Sequence, residues 1–141
     1  MTVIVKNTAK LMAGIICLFG LYIVLHGHLT PGGGFAGGTI IAGAFILLVL
    51  AYGDDIMHLR ARKEDSSRLE NLAMFMVLFC GMIGMLLVPS VFFRNFLPPG
   101  TLFELLSAGV IPIFNVLVGI EVAASLFTIF LAFVILKEED K

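Results

Sequence analysis

Four long apolar runs constrain this chain more than any other feature of its sequence. They lie at about 9–28, 33–53, 70–93 and 111–136. A helix of about 20 mostly apolar residues crosses the hydrocarbon core of a bilayer, so each run is long enough to span it. Backbone polar groups in lipid must be paired internally, and the runs lack the alternation of barrel strands. The sequence therefore predicts an all-α integral membrane protein with four transmembrane helices.

The composition agrees with a membrane protein. Of 141 residues, 60% are hydrophobic and 13% are charged, and the mean hydropathy is +1.08, whereas soluble domains carry about 25% charged residues. The net charge of −1 does not favour a nucleic-acid partner. Cys17 and Cys80 lie inside apolar runs, which indicates free thiols. We expect a single membrane domain over 1–141, in contact with the lipid bilayer.

The distribution of lysine and arginine predicts the orientation of the spans. Positive loops remain on the cytoplasmic side. If the spans alternate in direction, Arg94 lies alone on one side. Both termini and the middle loop are therefore predicted to be cytoplasmic. The first run ends without a small-residue cleavage pattern, so we interpret it as a retained span. The cations of the cytoplasmic side are Lys6, Lys10, Arg60, Arg62, Lys63, Arg68, Lys137 and Lys141.

Two loops carry predictions of local structure. Ser67 and Glu70 have the spacing of a capping box, which predicts that span three begins there. The preceding stretch, 54–70, mixes charges of both signs and is predicted to be a solvated link that contacts anionic lipid. The loop 94–110 opens with a proline-glycine turn. It is predicted to continue as a short interfacial helix with Phe103, Leu105 and Leu106 toward lipid and Glu104 toward water.

The start of span two has two open interpretations. Thr30 can cap the helix with Pro31 at its first position. Alternatively, 29–34 is an irregular turn, because consecutive glycines resist helix formation.

The segment LTPGGGFAGG, residues 29–38, contains the glycine spacing of a dinucleotide-binding loop. That loop functions between a β-strand and a helix of a soluble unit, whereas these glycines separate two long uncharged runs. No lysine follows them, as a Walker-type phosphate loop requires. Nucleotide binding is therefore not predicted.

The same glycines suit close packing between transmembrane helices. Gly34, Gly38 and Ala42 recur at every fourth residue and share one face of span two, while Gly37 and Gly43 add small surface. Span two is either a contact helix or a glycine run that faces lipid. We favour the contact helix, because packing normally offsets the cost of glycine in a helix.

Glu121 is the most informative polar residue, since it lies near the middle of span four. An ionisable group at that depth is costly and commonly marks an ion path. Ser125 and Thr128 continue the same helical face. Two interpretations are open: Glu121 relays a proton or cation along this strip, or a protonated or paired Glu121 holds a neighbouring subunit.

Four further residues of spans one and four carry predictions. Asn115 and Gly119 follow Pro112 by one and two turns, and Asn115 is expected to bond across helices or to carbonyls freed by the proline. His26 and His28 lie at the outer end of span one. Residues two apart do not share a helical face, so no metal site is predicted. Solvated histidines, or a role in proton handling near neutral pH, remain open.

The loops contain no arrangement of nucleophile and base, and no cofactor site follows from the residues. The sequence therefore predicts neither a cofactor nor an enzyme. Two classes remain, a subunit of a larger membrane assembly and an autonomous small transporter.

The stretch HGHLTPGGGFAGGTIIAGAFILL closely resembles the signature of the MnhB/MrpB family, which are small subunits of multisubunit Na⁺/H⁺ antiporters. The resemblance covers most of the chain. It includes the late segment IPIFNVLVGIEV at 111–122. The early motif consists of Pro31, Gly32, Gly33, Gly34 and Phe35.

This resemblance implies a subunit of a prokaryotic cell membrane that assembles with other antiporter-type subunits. The transported ions would be Na⁺ and H⁺. A redox complex such as a membrane-bound hydrogenase contains a related subunit, and is the alternative parent.

Overall fold

The described residues of the protein form four helices, as predicted. The computed structural model describes residues 2–53, 56–87, 91–101, 103–104 and 107–139, without the side chains of 56–57 and 138–139. All four helices are long and apolar enough to cross a membrane. They are α1 (Val3–Leu25), α2 (Gly33–Tyr52), α3 (Ile56–Leu87) and α4 (Ile111–Glu139).

The central pair of the bundle is α2 and α4. α1 packs on α2, α3 packs on α4, and α1 touches α4 only slightly. The rings of Phe45 in α2 and Phe127 in α4 lie 5.9 Å apart, and Gly34 meets Asn115 nearer the start of both helices. α2 and α4 therefore run parallel, and each is flanked by an antiparallel neighbour.

An apolar cluster joins three helices near the carboxyl ends of α2 and α4. Val49 of α2, Leu59 of α3, and Leu131 and Ile135 of α4 are all buried there. Leu59 and Leu131 are almost completely inaccessible to solvent. This cluster fixes the register in which α3 enters the bundle.

The predicted start of span three is wrong. α3 is continuous from Ile56, so Ser67 and Glu70 lie inside the helix and form no cap. The stretch predicted to be a solvated link is helical from residue 56 onward. Its lysines, arginines and glutamates are good helix formers, and no glycine or proline interrupts it. The described part of α3 ends at Leu87, earlier than the predicted 93.

The loop after α3 is irregular in all of its described residues, so the predicted interfacial helix is not formed there. Phe103 has a φ of 69° and Ala108 the same value, a left-handed conformation that a helix excludes. Phe103 is strongly exposed. Leu105 and Leu106 lie outside the described residues.

The predicted turn over 29–34 is correct for residues 29–32, whereas Gly33 and Gly34 already belong to α2. The Thr30 hydroxyl donates to the carbonyl of His26 at 3.1 Å, and therefore does not cap α2. Gly32 and Gly33 have φ values of +146° and +78°, which side-chain-bearing residues rarely adopt. Pro31 precedes this turn and is not the first residue of the helix, which begins at Gly33.

Candidate assembly site and ion path

The two segments singled out by the sequence meet at the contact between α2 and α4. A β-carbon on Gly34 would overlap the backbone carbonyl oxygen of Asn115 and lie 3.1 Å from the Gly119 nitrogen. One turn further on, a β-carbon on Gly38 would lie 2.6 Å from the Gly119 oxygen. Only glycine permits this approach, because ordinary carbon contacts begin near 3.5 Å. The backbones of α2 and α4 are therefore in direct contact.

A second glycine contact holds α1 against α2. A β-carbon on Gly37 would lie 2.5 Å from Val24 Cγ2 and 2.8 Å from the Gly20 oxygen. Val24 also packs beside Gly119 of α4. A β-carbon on Gly119 would lie 2.9 Å from Val24 Cγ2. Val24 is buried and sits where the three helices converge. We call this convergence of Gly34, Gly37, Gly119 and Val24 the glycine junction.

Gly43 and Phe35 of α2 lie outside the glycine junction. Gly43 has no atom within 4 Å of the position of a β-carbon, so it packs against no described residue. Phe35 is 65% exposed and points away from the bundle. The small surface predicted for α2 is therefore used at the faces toward α1 and α4, while Gly43 and Phe35 remain available to lipid or other chains.

Asn115 lies at the rim of the glycine junction. The side-chain amide of Asn115 packs against the glycines that flank the turn between α1 and α2. A β-carbon on Gly27 would lie 3.0 Å from Asn115 Nδ2, and a β-carbon on Gly33 would lie 3.7 Å from Asn115 Oδ1. Nδ2 is buried and has no hydrogen-bond acceptor among the described residues. A buried amide donor without a partner is rare in folded proteins.

The polar strip of α4 is half-buried. Glu121, Ser125 and Thr128 all have intermediate exposure. The Thr128 hydroxyl is buried and has no hydrogen-bond partner among the described residues. The carbonyl one turn before it, that of Ala124, accepts a hydrogen bond of 2.9 Å from the Ser66 hydroxyl of α3. The strip therefore combines a carboxyl group with an unpaired hydroxyl inside an apolar helix.

Ser66 is a contact that the sequence did not indicate. Ser66 lies in the stretch that hydropathy assigns to a solvated loop. Because its neighbours in the sequence are charged, hydropathy did not indicate that Ser66 belongs to the packed face of a helix. The repeated spacing Leu59, Ser66 and Ala73 is consistent with one face of a helix. All three residues lie on the side of α3 that is at least partly buried.

The two histidines lie in the turn that connects α1 to α2, beside the glycine junction. His26 Nδ1 is 3.0 Å from the Tyr22 carbonyl oxygen, and the two rings stack at 4.2 Å. His28 Nε2 is 3.4 Å from the Glu104 carbonyl oxygen, while its Nδ1 is buried without a partner among the described residues. Across the described ranges, no group of three or more His, Cys, Asp or Glu residues is placed to bind a metal ion.

The fold and the glycine junction define a multi-pass membrane protein whose central helices meet backbone to backbone. The profile of a family described as a domain related to the MnhB subunit of Na⁺/H⁺ antiporter matches residues 4–128. The chain belongs to this family, which confirms the resemblance seen in the sequence.

Two relatives illustrate the similarity. An uncharacterised protein of Methanocaldococcus jannaschii is 39% identical over 133 residues, which is 90% of this chain and 50% of that protein. A Na⁺/H⁺ antiporter subunit of Bacillus subtilis is 49% identical over 49 residues, 35% of this chain and 34% of that relative. The chain thus spans at most half the length of these relatives.

A solved structure shares the fold. A chain in the structure of the membrane-bound sulfane sulfur reductase, an archaeal respiratory membrane complex, aligns with a TM-score of 0.66 and 36% sequence identity. The alignment covers 91% of this protein and 56% of that chain. The bundle is therefore an arrangement that also occurs within a respiratory membrane complex.

Proposed function

We propose that this chain is a membrane subunit of a multisubunit monovalent cation/proton antiporter, which exchanges Na⁺ for H⁺ across a prokaryotic cell membrane. The observation that carries the proposal is the glycine junction. It brings segment 31–35 against segment 111–122, in a chain that belongs to the MnhB-related family. The name of the Bacillus subtilis relative supports the same function.

The partners in this proposal are other antiporter-type membrane subunits. The outer faces of the bundle are strongly apolar: Leu18 of α1 and Phe133 of α4 are 69% and 68% exposed. In the membrane these faces contact lipid or further transmembrane helices. The glycine junction packs α1, α2 and α4 closely against one another. The outer faces are then free to contact the other subunits of the assembly.

Glu121 is the proposed contribution of this subunit to the ion path. Its carboxyl group is half-buried, and the unpaired Thr128 hydroxyl lies two turns away on the same face. A carboxyl group and hydroxyl oxygens are suitable ligands for a passing cation or proton. The competing role is structural, with Glu121 bonded to a neighbouring subunit.

A second parent complex is favoured by one observation. The sulfane sulfur reductase complex contains a chain that aligns over 91% of this protein. In a parent complex of this kind, redox chemistry in attached subunits drives the ion translocation to which this chain contributes. The chain itself is then still a transport subunit and not an enzyme, since any electron transfer resides in its partners.

We propose that both termini and the α2–α4 carboxyl ends face the cytoplasm. Lys6 at the start of α1 lies 5.5 Å from the ring centre of Tyr52 at the end of α2, so these two ends share one side of the bundle. Lys137 near the end of α4 lies on that side too, because α4 runs parallel to α2. Cations collect on the cytoplasmic side of membrane proteins.

Purification through a tag on this chain in mild detergent, followed by mass spectrometry, tests the proposal. Antiporter-type membrane subunits alone are expected for the cation/proton exchanger. Additional iron–sulfur or hydrogenase-type subunits identify the redox-driven parent. If the chain purifies without partners and transports ions when reconstituted alone, it is an autonomous transporter and the subunit proposal is wrong.

A further inference from the structure

α3 lies out of register with the three other helices. Its Ser66 hydroxyl donates to the Ala124 carbonyl at 2.9 Å. Ala124 is near the midpoint of α4, Ile111–Glu139. At 1.5 Å per residue it lies roughly 20 Å from Lys137, and therefore close to the middle of a bilayer that α4 spans. Ser66 is at the same depth.

Charged residues surround Ser66 at this depth. Arg68 lies 3.7 Å from Glu64 and 3.7 Å from Asp65. The side chains of these three residues are between 71% and 77% exposed. We call them the α3 charged cluster. They belong to the outward face of α3, and the described part of the chain leaves them uncovered.

The apolar cluster gives the same register independently. Leu59 is buried together with Val49 and Leu131, and Val49 is within one turn of the end of α2 at Tyr52. Residues after Leu59 therefore run back along the apolar length of α4, the helix on which α3 packs. The α3 charged cluster begins roughly 8 Å beyond Leu59 along the helix axis, inside the span of its neighbours.

The described part of the chain does not close over this polar face. An open cleft of about 480 Å³ lies between α3 and the last turns of α4. One wall carries polar side chains of α3 and the other is apolar. The lining residues are Arg60, Lys63, Glu64, Ser67, Ala132, Ile135 and Leu136.

Charges at the centre of a bilayer are costly, so they face a bundle interior, a polar partner or water. Among the described residues, the α3 charged cluster faces neither a bundle interior nor a polar partner on another helix. It contains two acids and one base, Glu64, Asp65 and Arg68, with a net charge of −1. The basic side chains of Arg60 and Lys63 line the adjoining cleft, so charge alone does not exclude an anionic lipid. Its headgroup, however, resides at the membrane surface and not at this depth.

We propose that a transmembrane helix of a partner subunit covers the α3 charged cluster and places a basic or hydrogen-bonding side chain against it. This inference rests on the proposed function, because it requires a membrane partner. It identifies α3, and not the glycine junction, as the polar docking face. The partner is recognised by its chemistry, a polar or ionisable group near the middle of its own span.

Photo-cross-linking in the assembled complex tests the inference. A photoreactive amino acid replaces Asp65 or Arg68 in the tagged full chain, and Leu18, which is 69% exposed on α1, serves as the matched apolar control. After irradiation of native membranes, positions 65 and 68 are expected to form adducts with one membrane subunit. The Leu18 position is expected to give that adduct weakly or not at all.

Two results overturn the inference. The first is lipid adducts alone at positions 65 and 68 in a complex whose partners co-purify. The second is rapid reaction of Asp65→Cys with a membrane-impermeant thiol reagent in the intact complex, which shows that water covers the cluster. In both cases the docking inference is wrong, while the co-purified subunits still support the proposed function. If no partner co-purifies with the unaltered chain, both proposals fail together.

Discussion

The backbone of Gly34 in α2 lies directly beneath the backbone carbonyl of Asn115 in α4, with no room for a β-carbon between them. The contact joins residues that are far apart in the sequence. It also fixes the parallel arrangement of α2 and α4, since Gly38 repeats it one turn later against Gly119. The spacing of the central helices is therefore set by backbone atoms and tolerates little substitution.

We expect Gly34→Ala to destabilise the bundle. The added methyl group overlaps the Asn115 oxygen, so the helices must separate. Overpacking of this kind costs about 1–3 kcal/mol, and the better helix propensity of alanine returns about 1 kcal/mol at most. The melting temperature of the purified protein in detergent is expected to fall, and less of the partner subunits is expected to co-purify.

Gly43→Ala is the matched control on the same helix. No atom lies within 4 Å of its β-carbon position, so only the helix propensity changes. Its melting temperature is expected to stay the same or to rise. Equal melting temperatures for Gly34→Ala and Gly43→Ala would contradict the close contact between α2 and α4.

Glu121→Gln separates an ion-path role from an assembly role. The amide keeps the size and hydrogen-bonding capacity of the side chain but cannot exchange a proton or balance a cation. We expect proton-coupled cation transport in membrane vesicles to be lost while the co-purified subunits remain unchanged. Glu104→Gln, in the exposed loop after α3, is the control and should transport normally. Full transport by Glu121→Gln removes Glu121 from the ion path.

The packing faces of α2 were predictable because glycine spacing is a local signal. Gly34 and Gly38 recur at the helical period, and the structure places both against α4. The sequence did not predict that Gly37 turns to α1, since that depends on where the neighbouring helices lie. Nor did it predict that Gly34 meets Asn115, because the partner of a contact face depends on how the whole chain folds.

The course of α3 was not predictable from hydropathy. A hydropathy pattern places charged residues outside the membrane, and it therefore assigned 54–70 to a loop. Helix propensity favours a helix in the same stretch, because good helix formers continue without interruption from residue 56. The structure follows the helix propensity, and α3 is helical from Ile56 onward. The hydrogen bond of Ser66 to α4 then brings this charged stretch alongside apolar helix.

Ser66→Ala removes the hydrogen bond that the serine hydroxyl of α3 donates to the Ala124 carbonyl of α4. Hydrogen bonds between membrane helices contribute about 0.6 kcal/mol on average, so the expected loss of stability is small. The measurement is the midpoint of unfolding in sodium dodecyl sulfate. Ser67→Ala, at the neighbouring position, is the control and is expected to unfold as the unaltered protein does. A loss several times larger shows that Ser66 supports more than this bond.

Cysteine labelling in whole cells tests the orientation of the bundle. Because Lys6 at the start of α1 and Lys137 at the end of α4 lie on one side of the bundle, that side is expected to be cytoplasmic. In a background with Cys17 and Cys80 changed to alanine, a membrane-impermeant maleimide should label Thr101→Cys from outside. Thr2→Cys should react only after the cells are opened. Labelling of Thr2→Cys in intact cells means that the orientation is reversed, and that the cations of α1 and α4 face outward.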